Sequence, residues 1–236
     1  MDLCLELLGE LEDQNLVMRD SAGPRLDSWN QGHFLNWDVS VWTNYMKEWF
    51  SPDIFSPDLF GSTVINTMIP ADTLGYVYIS SLGNEFDFEA LYVSTSAIRH
   101  CNGLILDLRM CGEIGSEIHS HYASGRFIEE SVPAYYRSFR TGPGRNEMGE
   151  IQEVLAYRNG AWQFTNPTIL LTGRYTQGAA EQLVLLLRTQ QHITVIGDTT
   201  GGFANPAVAF NLTEDWTLEI PGMVTYSLDG TLLLNS

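Results

Sequence analysis

The fold is decided by one stretch, Pro167 to Gly202, which reads PTILLTGRYTQGAAEQLVLLLRTQQHITVIGDTTGG. Its first six residues are mostly apolar, which is typical of a strand buried in a parallel sheet. Residues 177–188 have the length and apolar content of a helix, and Ile193–Gly197 repeats the pattern of a buried strand. A strand, a helix and a strand in succession predict a βαβ unit with parallel strands and a right-handed crossover.

The same alternation of strands and helices extends back to Leu74. The residue patterns predict strands at 75–80 and 103–109, helices at 86–98 and about 116–123, and a solvent-facing strand at 135–140. The run GLILDLR at 103–109 is apolar without alternation, as in strands that are buried on both faces. Several short strands joined at turns are predicted for 208–234, which gives the α/β core an added C-terminal β-hairpin element.

The residues before Leu74 differ in character from the core. Residues 3–11 place their leucines on one helical face, and a short strand follows at 16–18. From 21 to 73 tryptophans are interspersed with Ser-Pro-Asp turn signals, whereas disordered linkers are poor in aromatic residues. These tryptophans either pack against the core or line a groove for a peptide or another apolar ligand. The predicted organisation is an N-terminal helix and strand at 1–20 that pack on the core, a Trp-rich irregular cap or lid at 21–73, and the core domain at 74–236.

Charge and hydropathy exclude several classes of function. The 236 residues include 29 acidic and 12 basic side chains, which gives a formal net charge of -17. Such a surface repels phosphate backbones and anionic lipids, so we expect no nucleic-acid partner. No apolar run approaches the roughly 20 residues that a membrane-spanning helix needs. No basic segment precedes the apolar N-terminal residues, so we expect no signal peptide in this sequence.

The cysteines and histidines show no metal-binding pattern. Cys101 and Cys111 flank the predicted strand at 103–109, where a free thiol packs as a small apolar residue. His119 and His121 lie two apart on a predicted helix, and such positions point in different directions. We interpret these histidines as surface or edge residues, and we expect no metal site and no cofactor.

Four segments, taken in order, resemble the landmarks of one family: LGELED at 8–13, GYVYISSL at 75–82, GLILDLR at 103–109, and the stretch 167–202. The family is the tail-specific (C-terminal processing) serine peptidases, and the chain is most similar to its tricorn-core-like branch. The resemblance implies a crotonase-like (ClpP/crotonase) core, serine-type proteolysis, and peptide or unfolded polypeptide as the substrate. It also suggests an exported or periplasmic location and leaves oligomer formation open. The Trp-rich segment lacks the Gly-Leu-Gly-Phe-type loop of the PDZ domain that many members insert there.

In this family the nucleophilic serine stands where a buried strand turns into a helix, in a pattern like Thr-x-Ser-Ala-x-Glu. In this chain the pattern is Thr176-Gln-Gly-Ala-Ala-Glu181, so Gly178 takes the place of the serine. Glycine has no side chain that could attack a carbonyl carbon. The resemblance also implies that Gly112 and Ala179 lie in the region where the family stabilises the oxyanion of the tetrahedral intermediate.

The general base and the acid of the family are replaced as well. The tricorn-like branch takes its base from a histidine in an Asp-Gly-His step, which here is Asp13-Gln-Asn15. An asparagine amide has no usable basicity. The other branch uses a lysine, and residues 197–203 contain none. The acid of the tricorn-like branch is a glutamate near the C-terminus, and Leu234 stands at that position in this chain.

The degenerate positions Asn15, Gly178 and Leu234 predict a pseudo-peptidase that keeps a peptide-binding framework, because function depends on the site rather than on the fold. Two alternatives stay open. The chain is a working hydrolase that uses Thr176, Thr172 or a residue contributed by a partner chain as a substitute nucleophile, or it is a structural subunit of an active paralogue. Thr176 is also interpreted as the cap of the following helix, with Glu181 as a helix-start residue.

Overall fold

The structure is a computed structural model, and it describes most of the chain from residue 64 onward. The described residues are 17–20, 25–27, 38, 40–42, 44, 64–69, 74–112, 115–142, 147–202 and 207–233. Asn15, Leu234, the predicted helix at 3–11 and most of the Trp-rich segment lie outside these ranges. What the sequence predicts for them therefore stays a prediction.

The described residues form three sheets, with helices between the strands of the central one. In chain order the elements are β1 (Val17–Asp20), β2 (Arg25–Asp27), β3 (Val64–Ile69), β4 (Leu74–Ile79), α1 (Phe88–Ala97), β5 (Gly103–Asp107), α2 (Glu117–Ser124), β6 (Val132–Phe139), β7 (Gln152–Ala156), β8 (Thr168–Thr172), α3 (Ala179–Leu187), β9 (Ile193–Gly197), β10 (Ala207–Asn211), β11 (Trp216–Pro221) and β12 (Met223–Tyr226).

The central sheet has five strands in the order β3-β4-β5-β8-β9. Strands β4, β5, β8 and β9 run in parallel, and β3 adds an antiparallel strand at one edge. The predicted βαβ unit is confirmed, because β8, α3 and β9 follow one another and Thr168 pairs in parallel with Ile193. Strand β3 lies within the range interpreted as an irregular lid and is regular over its six residues.

The hydrophobic core lies between one face of the central sheet and the helices. Helix α3 is buried along all of its residues, from Ala179 to Leu187, as expected for a helix that is apolar on nearly every side. Leu91 of α1 is also fully buried and belongs to the same core cluster. Cys101 and Cys111 are buried on either side of β5, as predicted. The tight packing of α3 fixes the position of its first turn.

Two predictions about burial are wrong. Strand β9 is exposed from Thr194 to Gly197 although its sequence is apolar, because it forms an edge of the central sheet. Strand β6 is not a solvent-facing strand, since Tyr135 and Ser138 are fully or almost fully buried. The reason is that β6 is the middle strand of the sheet β12-β6-β7 and also contacts α3.

The third sheet joins distant parts of the chain in the order β10-β11-β1-β2. Its strand pairs are antiparallel, and Arg19 Nε donates to Glu219 Oε1 at 2.7 Å between β1 and β11. Residues near the two ends of the sequence are therefore held side by side. No helix within the described ranges is long and apolar enough to cross a bilayer.

Candidate active site at the start of helix α3

The turn between β8 and α3 ends at Gly178, the residue for which the sequence pattern predicts the position of the family's serine. Gly178 precedes the first helical residue and has φ 59° and ψ −121°. This left-handed backbone is accessible to glycine and strained for a residue with a Cβ atom. The Gly178 N–H donates to Glu181 Oε2 at 3.0 Å, so a backbone amide at the helix start has an acceptor. Gly178 is therefore the cap residue of α3.

Glu181 joins the start of α3 to the segment after β9. The residue is buried, and its Oε1 accepts from Thr200 Oγ1 at 2.6 Å and from the Gly202 N–H at 2.7 Å. The prediction that Glu181 is a helix-start residue is confirmed, because it lies in the first turn of α3. Both carboxylate oxygens are engaged, so the side chain holds the turn and the later segment in one geometry.

The two threonine hydroxyls near this turn are engaged in hydrogen bonds. Thr176 is 0% exposed, and its Oγ1 donates to Leu108 O at 2.8 Å and accepts from the Gly173 N–H at 3.0 Å. Thr172 is 3% exposed and donates to Asp198 O at 3.0 Å. The interpretation of Thr176 as the helix cap is wrong, because the cap lies two residues further along the chain. Its hydroxyl fastens the turn to the end of β5 instead.

The loop after β5 packs directly on the same turn. The Gln177 N–H donates to Cys111 O at 2.9 Å. A Cβ atom at Gly112 would lie 3.1 Å from Tyr175 O, a separation that leaves little room for a side chain. Ala179 is buried and is the first residue of α3. The structure thus brings Gly112 and Ala179, the two residues predicted for the oxyanion region, to the same turn.

The end of β5 carries a buried charge network that the sequence patterns did not predict. Asp107 is 0% exposed, and its Oδ2 accepts from Tyr76 Oη at 2.7 Å and from Arg109 Nη2 at 2.7 Å. Tyr76 Oη in turn accepts from Trp42 Nε1 at 3.0 Å. Burial, followed by the charge of Asp107, holds the pKa of the Tyr76 phenol well above its ordinary value. The available signal was an Asp-Leu-Arg step at the end of an apolar run.

This network also bears on the Trp-rich segment. Trp42 is buried, and its ring centroid lies 5.2 Å from that of Tyr78 on β4. The contact supports packing against the core as the role of Trp42. The other tryptophans of the segment (Trp29, Trp37 and Trp49) lie outside the described residues.

The two histidines of α2 point in different directions, as their spacing predicts. His119 Nδ1 lies 2.8 Å from Leu82 O, whereas His121 Nε2 lies 3.4 Å from Glu117 Oε1. The hydrogen bond with His121, together with that from Arg137, lowers the pKa of Glu117 to about 2. Among the residues that the structure describes, no three His, Cys, Asp or Glu side chains form a group that could hold a metal ion.

Neither of the other two degenerate positions lies within the described residues. Asn15 and Leu234 lie outside the described ranges. The neighbouring Leu233 is partly buried against the core, and its N–H donates to Thr225 O at 2.9 Å. The convergence of Asn15, Gly178 and Leu234 on one site therefore stays a prediction.

The similarity of this chain to a known protein family identifies the family to which it belongs. The model of a family described as peptidase family S41 matches residues 73–235, which is well over half of the chain. The chain belongs to peptidase family S41. This confirms the resemblance to C-terminal processing serine peptidases that the four sequence segments carry. No curated protein sequence matches this S41 chain.

Solved structures of several proteins resemble this S41 chain. A candidate peptidase from Parabacteroides merdae ATCC 43184 superposes with a TM-score of 0.84 at 22% identity, covering 99% of this chain and 72% of that one. The photosystem II D1 C-terminal processing protease gives a TM-score of 0.56 at 16% identity, with coverage of 74% and 46%. Mature CPAF gives 0.57 at 12% identity, with coverage of 69% and 45%. The chain thus spans less than half the length of the last two proteins, and at these identities the likeness concerns the fold.

Proposed function

We propose that this S41 chain is a catalytically inactive peptidase homologue that retains a framework for binding peptides. The observation that carries the proposal is that Gly178 caps α3. The sequence pattern aligns this residue with the family's nucleophilic serine. A serine there would have its hydroxyl at the positive end of the helix dipole, whereas glycine offers no attacking atom. We also propose that the framework is crotonase-like, with the strands β10 and β11 as its added C-terminal hairpin element.

The threonine hydroxyls are poor substitutes for the missing nucleophile. A nucleophilic hydroxyl must be accessible to substrate and must give its proton to a base. Thr176 and Thr172 are almost fully buried, and both donate their protons to backbone carbonyls, which are not bases. This geometry supports the inactive homologue over a hydrolase that uses either residue.

The parts that would bind a peptide do not depend on a side chain at 178. Gly112 and Ala179 adjoin the turn, and their backbone amides are the type of group that holds a peptide carbonyl. An extended peptide adds as a strand to an exposed sheet edge in many binding proteins. The ligand class we propose is therefore peptide or unfolded polypeptide, bound without cleavage.

The test combines binding and turnover on the full chain. We expect saturable binding of fluorescently labelled unstructured peptides by anisotropy, and no cleavage products by mass spectrometry after long incubation. Gly178→Ser is expected to stay inactive, because the loss of one triad member alone removes most of the nucleophilic rate. Flat titrations against a broad peptide library would refute the binding framework. The claim of inactivity would be refuted if the parent chain cleaved peptides, if Thr176→Val or Thr172→Val abolished this cleavage, and if a phosphonate labelled the same threonine in the parent.

A further inference from the structure

Arg126, which follows the end of α2, holds a buried cation. The residue is 7% exposed, and its Nη1 has no hydrogen-bond partner. In the part of the chain that the structure describes, no Asp or Glu forms an ion pair with this guanidinium. Removing a charged group from water is costly unless a counter-charge or hydrogen-bond acceptors replace the water. The position therefore favours an anionic partner from outside the described residues.

Two aromatic rings flank the guanidinium. Its Cζ lies 4.9 Å from the ring centroid of Tyr92 and 5.7 Å from that of Trp162. Cation–π attraction offsets part of the desolvation cost, but an aromatic face cannot replace acceptors in the plane of the guanidinium donors. Tyr92 is 43% exposed, so one wall of this arrangement reaches the surface.

The loop at 159–164 is closed around the same side chain. The Asn159 N–H donates to Gly125 O at 3.0 Å, and the Phe164 N–H donates to Arg126 O at 2.8 Å. Between these two anchors, Gly160 has φ 94°, and a Cβ atom there would collide with the guanidinium. Glycine at 160 thus satisfies the left-handed backbone and lets the loop pack directly against the guanidinium.

We propose that Arg126, with Tyr92 and Trp162 as its walls, forms a carboxylate-binding site. A carboxylate matches the planar fork of a guanidinium and accepts two hydrogen bonds from it. The net charge of -17 disfavours polyanions such as nucleic acid, whereas a single carboxylate meets little long-range repulsion. The group comes either from the C-terminus of a peptide or from an Asp or Glu side chain, since both present the same two oxygens.

This site is separate from the turn at Gly178. Ser120 of α2 donates to Ala179 O at 2.7 Å, next to the candidate active site. Arg126 lies six residues further along the chain, two residues beyond the end of α2. The carboxylate site therefore holds whether or not the turn at Gly178 binds peptide, and separate variants test the two.

The experiment is isothermal titration calorimetry on the full chain at fixed ionic strength. The probes are N-acetyl-trialanine with a free C-terminus, the same peptide as its C-terminal amide, and N-acetyl-glutamate amide, which is charged only on its side chain. We expect saturable binding of one or both charged probes and none of the neutral amide. Binding of the first alone assigns a peptide C-terminus, and binding of the glutamate probe alone assigns an acidic side chain.

Variants connect the binding to the guanidinium. Arg126→Met is expected to weaken binding about tenfold to a hundredfold, the range for lost charged hydrogen bonds. Arg126→Lys keeps the charge without the fork, so it tests the geometry if the methionine variant fails to fold. Arg158→Met is the matched control, because Arg158 is an exposed residue whose guanidinium donates to Gln163 Oε1, and it should bind like the parent.

Stability of the ligand-free protein gives a second readout. An unpaired buried charge is unfavourable, so we expect Arg126→Met to melt at the parent's temperature or above. Two results would overturn the proposal. One is that no charged probe binds; the other is that the charged probes bind Arg126→Met and Arg126→Lys as tightly as they bind the parent.

Discussion

Gly178→Ala tests whether the turn before α3 has the left-handed backbone described above. At φ 59° and ψ −121°, alanine is strained by about 1–3 kcal/mol, as in other sparsely populated regions of backbone space. The same substitution at an unstrained site would stabilise the protein by about 0.4–1 kcal/mol through the unfolded state. We therefore expect a net loss of about 1–2 kcal/mol in the free energy of unfolding.

The assay is urea denaturation followed by far-UV circular dichroism. With an m value of about 3 kcal/mol/M, the expected loss lowers the urea midpoint by roughly 0.3–0.7 M. Gly230→Ala is the matched control, because Gly230 has φ 83° and a Cβ atom there would meet nothing within 4 Å. Because no neighbouring atom would clash there, any loss of stability in Gly230→Ala comes from backbone strain, and we expect the free energy of unfolding to fall by about 1–2 kcal/mol. If Gly178→Ala were as stable as the parent while Gly230→Ala lost stability, the backbone assignment at 178 would be refuted.

Further predictions concern the buried network, the core and the dependence on pH. Tyr76→Phe leaves Trp42 Nε1 without its acceptor and Asp107 with one donor fewer, so the unfolding free energy should fall by about 1–3 kcal/mol in the same urea assay; an unchanged midpoint would contradict this. Leu183→Ala opens a cavity at a 0% exposed site and should cost about 2–5 kcal/mol, and a loss below about 1 kcal/mol would mean that the site collapses. Because the pKa of Glu117 is lowered from 4.5 to about 2, the unfolded state binds more protons between these values. This contribution to stability is complete above about pH 4.5 and is lost as the pH falls toward 2. Glu117→Gln should show a shallower acid loss than the parent, and identical acid profiles would contradict the role of this carboxylate.

Local sequence patterns predict the βαβ unit because its determinants are local. The apolar run at 168–172, the helix around Leu183 and the run at 193–197 each define their own element. Burial of β9 was predicted wrongly because burial depends on neighbours, and no pattern within β9 shows that it lies at a sheet edge. The central strands of a parallel sheet and its edge can therefore have similar sequences and different surroundings.

The candidate site also has some features that the local sequence predicts and others that depend on contacts between distant residues. The family pattern places Gly178 and Glu181 at the helix start, and the structure gives both their expected positions. The hydroxyl of Thr176 was misassigned because its partner, Leu108, is 68 residues away in the sequence. The hydrogen bond between Tyr76 and Asp107 likewise joins two neighbouring strands of the sheet, β4 and β5, from residues 31 apart in the sequence. Such contacts form only when the sheet is assembled, and no local propensity encodes them.

The carboxylate of Glu181 has a consequence for motion. Since it accepts from the amides of both Gly178 and Gly202, the turn before α3 cannot open without releasing the segment after β9. In hydrogen exchange the two amides should then share one opening event, with protection factors that rise and fall together. A site at which one side chain holds two chain segments together opens as a unit, which makes its local unfolding cooperative rather than gradual.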